Sequence, residues 1–101
     1  MVREHLLDAV EMEPPEPLVR ALEMVENLGK GDYLRMRHRL EPCLLYDNLK
    51  KRGFSFITCS GGDAAYEIFI WREADAEARP VVEAQADKLD KIYSCVNPTD
   101  P

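Results

Sequence analysis

The hydrophobic pattern divides the chain into alternating strand-like and helix-like segments. Residues 6–10 form a short apolar run that predicts a first strand. Three prolines within residues 14–17 then exclude a strand ladder, and apolar residues follow at helical spacing from Leu18. We predict a first helix over residues 15–28, closed by Gly29 in the left-handed conformation.

Apolar positions change to alternating spacing over residues 33–39. This spacing predicts a second strand with one apolar side and one basic side. The basic side is an arginine ladder of Arg35, Arg37 and Arg39.

Two further strands follow a second helix. Pro42 opens this helix and Gly53 ends it. Residues 54–59 predict the third strand, residues 60–63 a hairpin turn, and residues 65–72 the fourth strand.

The fourth strand is apolar on both sides, and this predicts a covering element. Phe69 and Trp71 lie on the side away from the first two helices. Residues 81–94, after Pro80, predict a third helix whose apolar spacing continues to Val96. We expect this helix to cover the open sheet face or to pack against a second subunit.

Together these segments predict an α/β fold, more closely an α+β two-layer sandwich, in the order β-α-β-α-β-β. The sheet is mixed and four-stranded, with two helices on one face and an added C-terminal helix, because strand–helix–strand units are right-handed crossovers. Residues 1–72 form the two-layer domain. Residues 73–101 add an acidic connector, the amphipathic helix and a frayed end at residues 97–101, as part of the same globule.

Composition narrows the possible partners and the compartment. The net charge is −6, with a basic middle segment between two acidic ends, and this disfavours a nucleic-acid partner. No apolar run approaches the roughly 20 residues of a membrane span. Acids in the first eight residues and three cysteines without close pairing favour reduced thiols and a cytoplasmic location.

Several short motifs, in fixed order, resemble a known family over residues 6–72. They comprise a proline-rich helix start, a segment before the second helix and a segment at its end: Pro15-Glu16-Pro17, His38-Arg39-x-Glu41-Pro42 and Arg52-Gly53-Phe54. They resemble the SirA/TusA-like superfamily, closest to its branch described as domains of unknown function, number 2249 in that series. The resemblance implies a small two-layer fold.

The resemblance also implies an activity that this chain does not share. Sulfur-carrier members begin the first helix with Cys-Pro-x-Pro, and that cysteine carries a persulfide. Pro14 occupies the cysteine position here and offers no nucleophile. We therefore do not assign the sulfur-carrier role of those members to this chain.

Candidate site residues gather where parallel strands end and helices begin. This predicted binding edge consists of seven residues, the last of which joins only if the third strand is parallel to the first two: Glu13, Glu16, His38, Arg39, Glu41, Cys43 and Cys59.

The cysteines and the histidine of this edge allow more than one interpretation. Cys43 is either a reactive thiol at a helix start or a small packing residue, and Cys59 is a similar case. His38, Cys43 and Cys59 have the ligand types of a zinc site without its spacing.

The arginine ladder also has two interpretations. Arg35, Arg37 and Arg39, backed by Arg72, form either an anion or partner face or an ordinary solvated or helix-covered sheet face.

The leading functional hypothesis is a non-catalytic binding or accessory module without a cofactor. Its partner would be a protein or a small ligand, with a homodimer through the C-terminal helix or the open sheet face as a further option. The alternative is a redox or sulfur-relay protein that uses Cys43 or Cys59, with a metal held near His38.

Overall fold

Five strands and three helices follow one another along residues 2–92, the part of the chain that this computed structural model describes. In chain order they are β1 Arg3–Asp8, α1 Glu16–Glu26, β2 Asp32–His38, α2 Cys43–Lys51, β3 Phe54–Ser60, β4 Tyr66–Arg72, α3 Ala78–Ala86 and β5 Asp90–Lys91. The predicted β-α-β-α-β-β order followed by a helix is confirmed.

The sheet is mixed, and its strand order is β1-β2-β4-β3-β5. β1 and β2 are parallel, whereas β4 is antiparallel to both β2 and β3. β1, β2 and β3 therefore point the same way. Their last residues lie at one end of the sheet, which we call its carboxyl end.

The main core lies between the sheet and helices α1 and α2. Leu34 pairs with Ile70 and Met36 pairs with Ile68 across β2 and β4, and all four side chains are fully buried. The two helices add buried residues to the same cluster: Ala21, Val25, Leu45, Tyr46 and Leu49. Both helices therefore cover one face of the sheet, as predicted.

Helix α3 covers the other face. Its buried stripe of Ala78, Val82 and Ala86, at four-residue spacing, packs with Phe69 and Trp71 in a second core cluster. The small alanines allow a close approach to the two aromatic rings. Of the two possibilities for the C-terminal helix, the structure shows the first, in which it covers the open face of its own sheet.

Asp75 determines where α3 begins. Its carboxylate accepts hydrogen bonds from the backbone N–H of Ala78 (3.2 Å) and from that of Gly31 (2.6 Å). These bonds hold the pKa of Asp75 below its ordinary value, and the bond from Gly31 has the largest effect. The helix thus begins two residues before Pro80, and the predicted bounds of 81–94 were wrong.

Residues 2–92 also contain one more strand than predicted. α3 ends at Ala86, after which the chain turns and Asp90–Lys91 pairs antiparallel with the end of β3. The sheet therefore has five strands rather than four. The remaining predicted positions, Tyr93 and Val96 of the helix and the frayed end at residues 97–101, lie outside the described residues.

Two boundaries near the first helix differ from the prediction. α1 ends at Glu26, and it is Gly31, not Gly29, that has the left-handed φ of 84°. β1 runs over Arg3–Asp8 rather than residues 6–10, because the Asp8 carboxylate accepts the Val10 N–H (3.2 Å) and turns the chain out of the sheet.

Candidate binding site at the proline corner

A cavity of about 330 Å³ lies at the carboxyl end of the sheet, where α1 and α2 begin. We call it the proline-corner cavity. Prolines and leucines dominate its lining, which consists of Pro14, Pro15, Pro17, Leu18, His38, Leu40, Glu41, Pro42, Cys43, Leu44 and Leu45. Four residues of the predicted binding edge are therefore outside its wall, and His38, Glu41 and Cys43 are in it.

The proline segment is held in place by Arg39. The peptide bond between Pro14 and Pro15 is cis, and Pro15 is the N-cap of α1. Arg39 Nη1 donates to the carbonyl of Val10 (2.6 Å), and its Nη2 lies 3.4 Å from the Glu13 carboxylate. Arg39 therefore leaves the arginine ladder and connects the end of β2 to the loop before α1.

His38 supports the rim of the cavity and is only 5% exposed. Its Nδ1 accepts the backbone N–H groups of Arg39 (2.9 Å) and Leu40 (3.3 Å). With Nδ1 as an acceptor, the neutral ring carries its proton on Nε2. Burial, followed by the charge of Arg39, lowers the pKa of His38 and favours this neutral form.

Glu41 is connected to the core through Tyr46. The Tyr46 hydroxyl donates to Glu41 Oε2 (3.2 Å) and also contacts the Thr58 hydroxyl. The Tyr46 ring stacks on Phe56 with centroids 4.3 Å apart. Burial raises the pKa of Tyr46, so its hydroxyl stays protonated and Glu41 keeps a donor. Sequence reasoning missed Tyr46 and Thr58, because neither carries a motif.

Two leucines at the cavity are exposed. Leu40 is 54% exposed and Leu44, in the first turn of α2, is 74% exposed. Sequence reasoning did not include them, although Leu44 lies outside the helix stripe of Leu45 and Leu49 and could have been noticed for that reason. Adjacent exposed leucines beside an apolar cavity form a patch of the kind that partners cover.

The cysteines do not assemble into the predicted metal site. Cys59 is fully buried under α3, its Sγ directed at the Ala86 carbonyl (3.9 Å), and burial raises the pKa of its thiol. Cys43 lines the cavity but is disulfide-bonded, so it is not the reduced thiol that we expected. Cys59 lies on the α3 face of the sheet and His38 on the opposite face, so the structure does not bring His38, Cys43 and Cys59 together. Within residues 2–92, no group of three His, Cys, Asp or Glu side chains could hold a metal ion.

The arginines of β2 surround a buried carboxylate. Glu67, on β4, has no exposed surface, and Arg35 Nη2 and Nε lie 2.5 and 2.6 Å from its Oε1. Arg37 Nε lies 3.8 Å from the same oxygen, and the Asp63 N–H donates to Oε2 (2.9 Å). We call Arg35, Arg37 and Glu67 the arginine–glutamate cluster. The positive charge predicted for this face is therefore opposed by a carboxylate inside the protein.

Arg72 lies on the opposite side of the sheet from this cluster. It donates from Nη2 to the carbonyls of Glu26 (3.3 Å) and Leu28 (3.2 Å), at the end of α1. Its guanidinium also lies over the Phe54 ring, 5.1 Å from the centroid. Arg72 thus caps a helix and does not back the arginine ladder.

These observations describe a two-layer α+β domain with a helix-covered sheet and an apolar cavity at two helix starts. The chain belongs to the DUF2249 family of uncharacterised conserved proteins, whose sequence model matches residues 6–72. Searches of curated proteins and of solved structures found no match. Helices able to cross a membrane, by length and apolar character, are absent from residues 2–92.

The arginine–glutamate cluster predicts a large effect of removing its carboxylate. Glu67→Ala should lower the free energy of unfolding by about 3–5 kcal/mol, because two arginines lose a buried counter-ion. Urea denaturation measures this change. Asp63→Ala is the control: its carboxylate is 84% exposed and 3.4 Å from Arg37, so about 1 kcal/mol or less should be lost. If Glu67→Ala does not fold, Glu67→Gln provides the measurement. Equal losses of unfolding free energy in the Glu67 and Asp63 variants would contradict the prediction.

His38 predicts a pH dependence of stability. Its folded-state pKa is lowered from 6.5, so its contribution is complete above that pH and is lost as the pH falls below it. The unfolding free energy, measured from about pH 7.5 to about pH 5, should fall more steeply in the native protein than in His38→Asn. An asparagine oxygen accepts the same N–H groups without titrating in this range. His5→Asn, at the other histidine, is the control and should leave the His38 contribution in place. Identical slopes of unfolding free energy against pH for the native protein and His38→Asn would refute the prediction.

Proposed function

We propose that this protein is a non-catalytic binding module that accepts an apolar group in its proline-corner cavity. The observation that carries this proposal is the apolar lining, open beside the exposed side chains of Leu40 and Leu44. Binding sites for small groups are concave and mostly apolar, with a few placed polar atoms. Here the polar atoms in the wall belong mainly to His38 and Glu41.

The roles of those polar groups support binding rather than bond making. His38 Nδ1 is occupied by two backbone amides, and Glu41 accepts from Tyr46. Each side chain therefore has a local structural task at the rim. A ligand would meet a wall in which the imidazole Nε2–H remains as a donor.

A relation by descent to the SirA/TusA-like sulfur carriers is part of the proposal. The element order and the proline-rich start of α1 support it. The residue in the carrier position is Pro14, in the wall of the cavity, so a ring fills the place of the thiol. In this view the family has kept the helix-start geometry and uses it for binding.

We also propose a cytoplasmic location, supported by the free, buried thiol of Cys59. Cells lysed directly into denaturant with an alkylating agent should then yield a chain labelled at all three cysteines, which would mean that the Cys43 disulfide of the structure is not formed in the cell. Protection of Cys43 under these conditions would show that its disulfide exists in the cell and would place the protein in an oxidising compartment. Full labelling after reduction is the control.

The cavity predicts a localised response to a neutral apolar probe. Titration of ¹⁵N-labelled protein with 1-hexanol should shift the amide signals of Leu18, Leu40, Leu44 and Leu45 in a saturable way. Leu44→Ser should weaken binding by about tenfold or more, because one leucine contact is worth about 1.5–3 kcal/mol when fully buried.

Leu6→Ser is the matched control for that titration. Leu6 is 48% exposed, comparable to Leu40, and lies on β1 outside the cavity. It should leave the dissociation constant unchanged. An absence of saturable shifts, or equal weakening by both serine variants, would refute the proposed function.

A further inference from the structure

The disulfide of Cys43 identifies a second cysteine by elimination. The chain has three cysteines. Cys59 is free and buried, whereas Cys43, in the wall of the proline-corner cavity, is disulfide-bonded. The remaining cysteine of this chain is Cys95, in the C-terminal segment that follows the described residues. Oxidation and reduction can therefore act on the wall of the cavity itself.

The described part of the chain ends close to α2. After β5, the Ile92 N–H donates to the Thr58 carbonyl on β3 (2.9 Å). The Thr58 hydroxyl contacts the Tyr46 hydroxyl, and Tyr46 follows Cys43 by about one turn of α2. Cys95 is three residues beyond Ile92, and three extended residues span about 10 Å. A disulfide joins Cα atoms that are about 5–6 Å apart, so the start of α2 is within reach of Cys95.

The start of α2 lacks a side-chain cap. Its N-cap is Pro42, whose ring offers no hydrogen-bonding group, and the helix is only nine residues long. An isolated helix of this length is unstable in water, so its ends depend on other contacts. Cys43 is the first residue of the helix, and its disulfide therefore fixes the turn that brings Leu44 and Leu45 into the cavity wall.

We propose that Cys43 and Cys95 form a reversible disulfide that controls binding in the proline-corner cavity. The structure describes the oxidised state, in which the disulfide fixes the first turn of α2 and completes the wall. In the reduced state this turn frays, and the cavity binds apolar groups more weakly. This inference rests on the proposed function and adds its regulation. In the cytoplasmic location proposed above, the reduced state is the resting one.

Hydrogen peroxide is a sufficient oxidant for this step. One thiolate attacks a peroxide oxygen, which breaks the O–O bond, releases hydroxide and leaves a sulfenic acid. The second thiolate attacks the sulfenic sulfur, forms the S–S bond and displaces hydroxide. Two thiols and one peroxide thus give one disulfide and two water molecules. Dithiothreitol reverses the reaction by thiol–disulfide exchange and is itself oxidised to a cyclic disulfide.

Peptide mapping of the full chain tests the link. Trypsin places the cysteines in three separate peptides, residues 40–50, 53–72 and 92–101. After treatment with peroxide, alkylation in denaturant and digestion, the peptides of Cys43 and Cys95 should be joined and Cys59 should be alkylated. Cys59→Ala should keep this link, and Cys95→Ser should abolish it. A disulfide-linked dimer, or Cys43 joined to Cys59, overturns the proposal.

The effect on the cavity is measured on the oxidised and reduced forms of the same chain. Reduction should raise the dissociation constant of 1-hexanol about threefold or more, because a smaller fraction of the protein then has the complete wall. The Leu45 amide, which donates to the Pro42 carbonyl (3.0 Å), should exchange its hydrogen about tenfold faster in the reduced protein without ligand. Peroxide-treated Cys95→Ser should match the reduced form in both measurements, and Cys59→Ala, the matched control, should respond like the native chain.

The outcomes distinguish this inference from the proposed function. Saturable binding of 1-hexanol with the same dissociation constant in both states overturns the inference and leaves the binding site. Equal exchange of the Leu45 amide in both states also overturns it, even where the link forms. If this amide exchanges faster after reduction but 1-hexanol binds to neither state, the disulfide controls the start of α2 and the proposed function fails.

Discussion

Glu67, on the middle strand of the sheet, has a carboxylate that is fully shielded from water. Its negative charge is balanced by Arg35 and Arg37, and these contacts connect three parts of the fold. The arginines come from β2, the carboxylate from β4, and the remaining oxygen of Glu67 accepts from the β3–β4 turn at Asp63. A side chain at Gly62 would collide with that carboxylate, so the turn can approach only as glycine. Since removing one member leaves uncompensated charge, the strand pairing and the turn stabilise each other.

Much of the fold could be predicted because it follows from apolar periodicity. The helix stripes and the alternating second strand each have a spacing that only one kind of element satisfies, and the short fourth strand was recognised by its length and by the turn before it. Phe69 and Trp71 indicated that the face of the sheet on which they lie is covered, but not whether α3 or a second subunit covers it. The first residue of α3 could not be predicted, because Asp75 acts through a backbone amide at Gly31 that is distant in sequence.

The candidate site was less accessible to sequence reasoning. The edge where His38, Glu41 and Cys43 meet could be inferred from parallel strands, but the function of Arg39 depends on carbonyls of another loop. The sequence pattern indicated that the arginine ladder was free to bind an anion or a partner. Alternation shows which face of the sheet a residue lies on, but not which residue of the neighbouring strand lies beside it. Only the pairing of Arg37 with Glu67 reveals the carboxylate there.

The position of β4 also has a consequence for synthesis of the chain. β4 lies between β2 and β3 and is hydrogen-bonded to both, yet it follows them in the sequence. On the ribosome, β1 and β2 can pair early, whereas β3 has no neighbour in the sheet until residues 66–72 emerge. The sheet is therefore completed only after β4, its central strand, has been synthesised. Until then, a nascent chain exposes to other proteins the edges of β2 and β3 that later pair with β4.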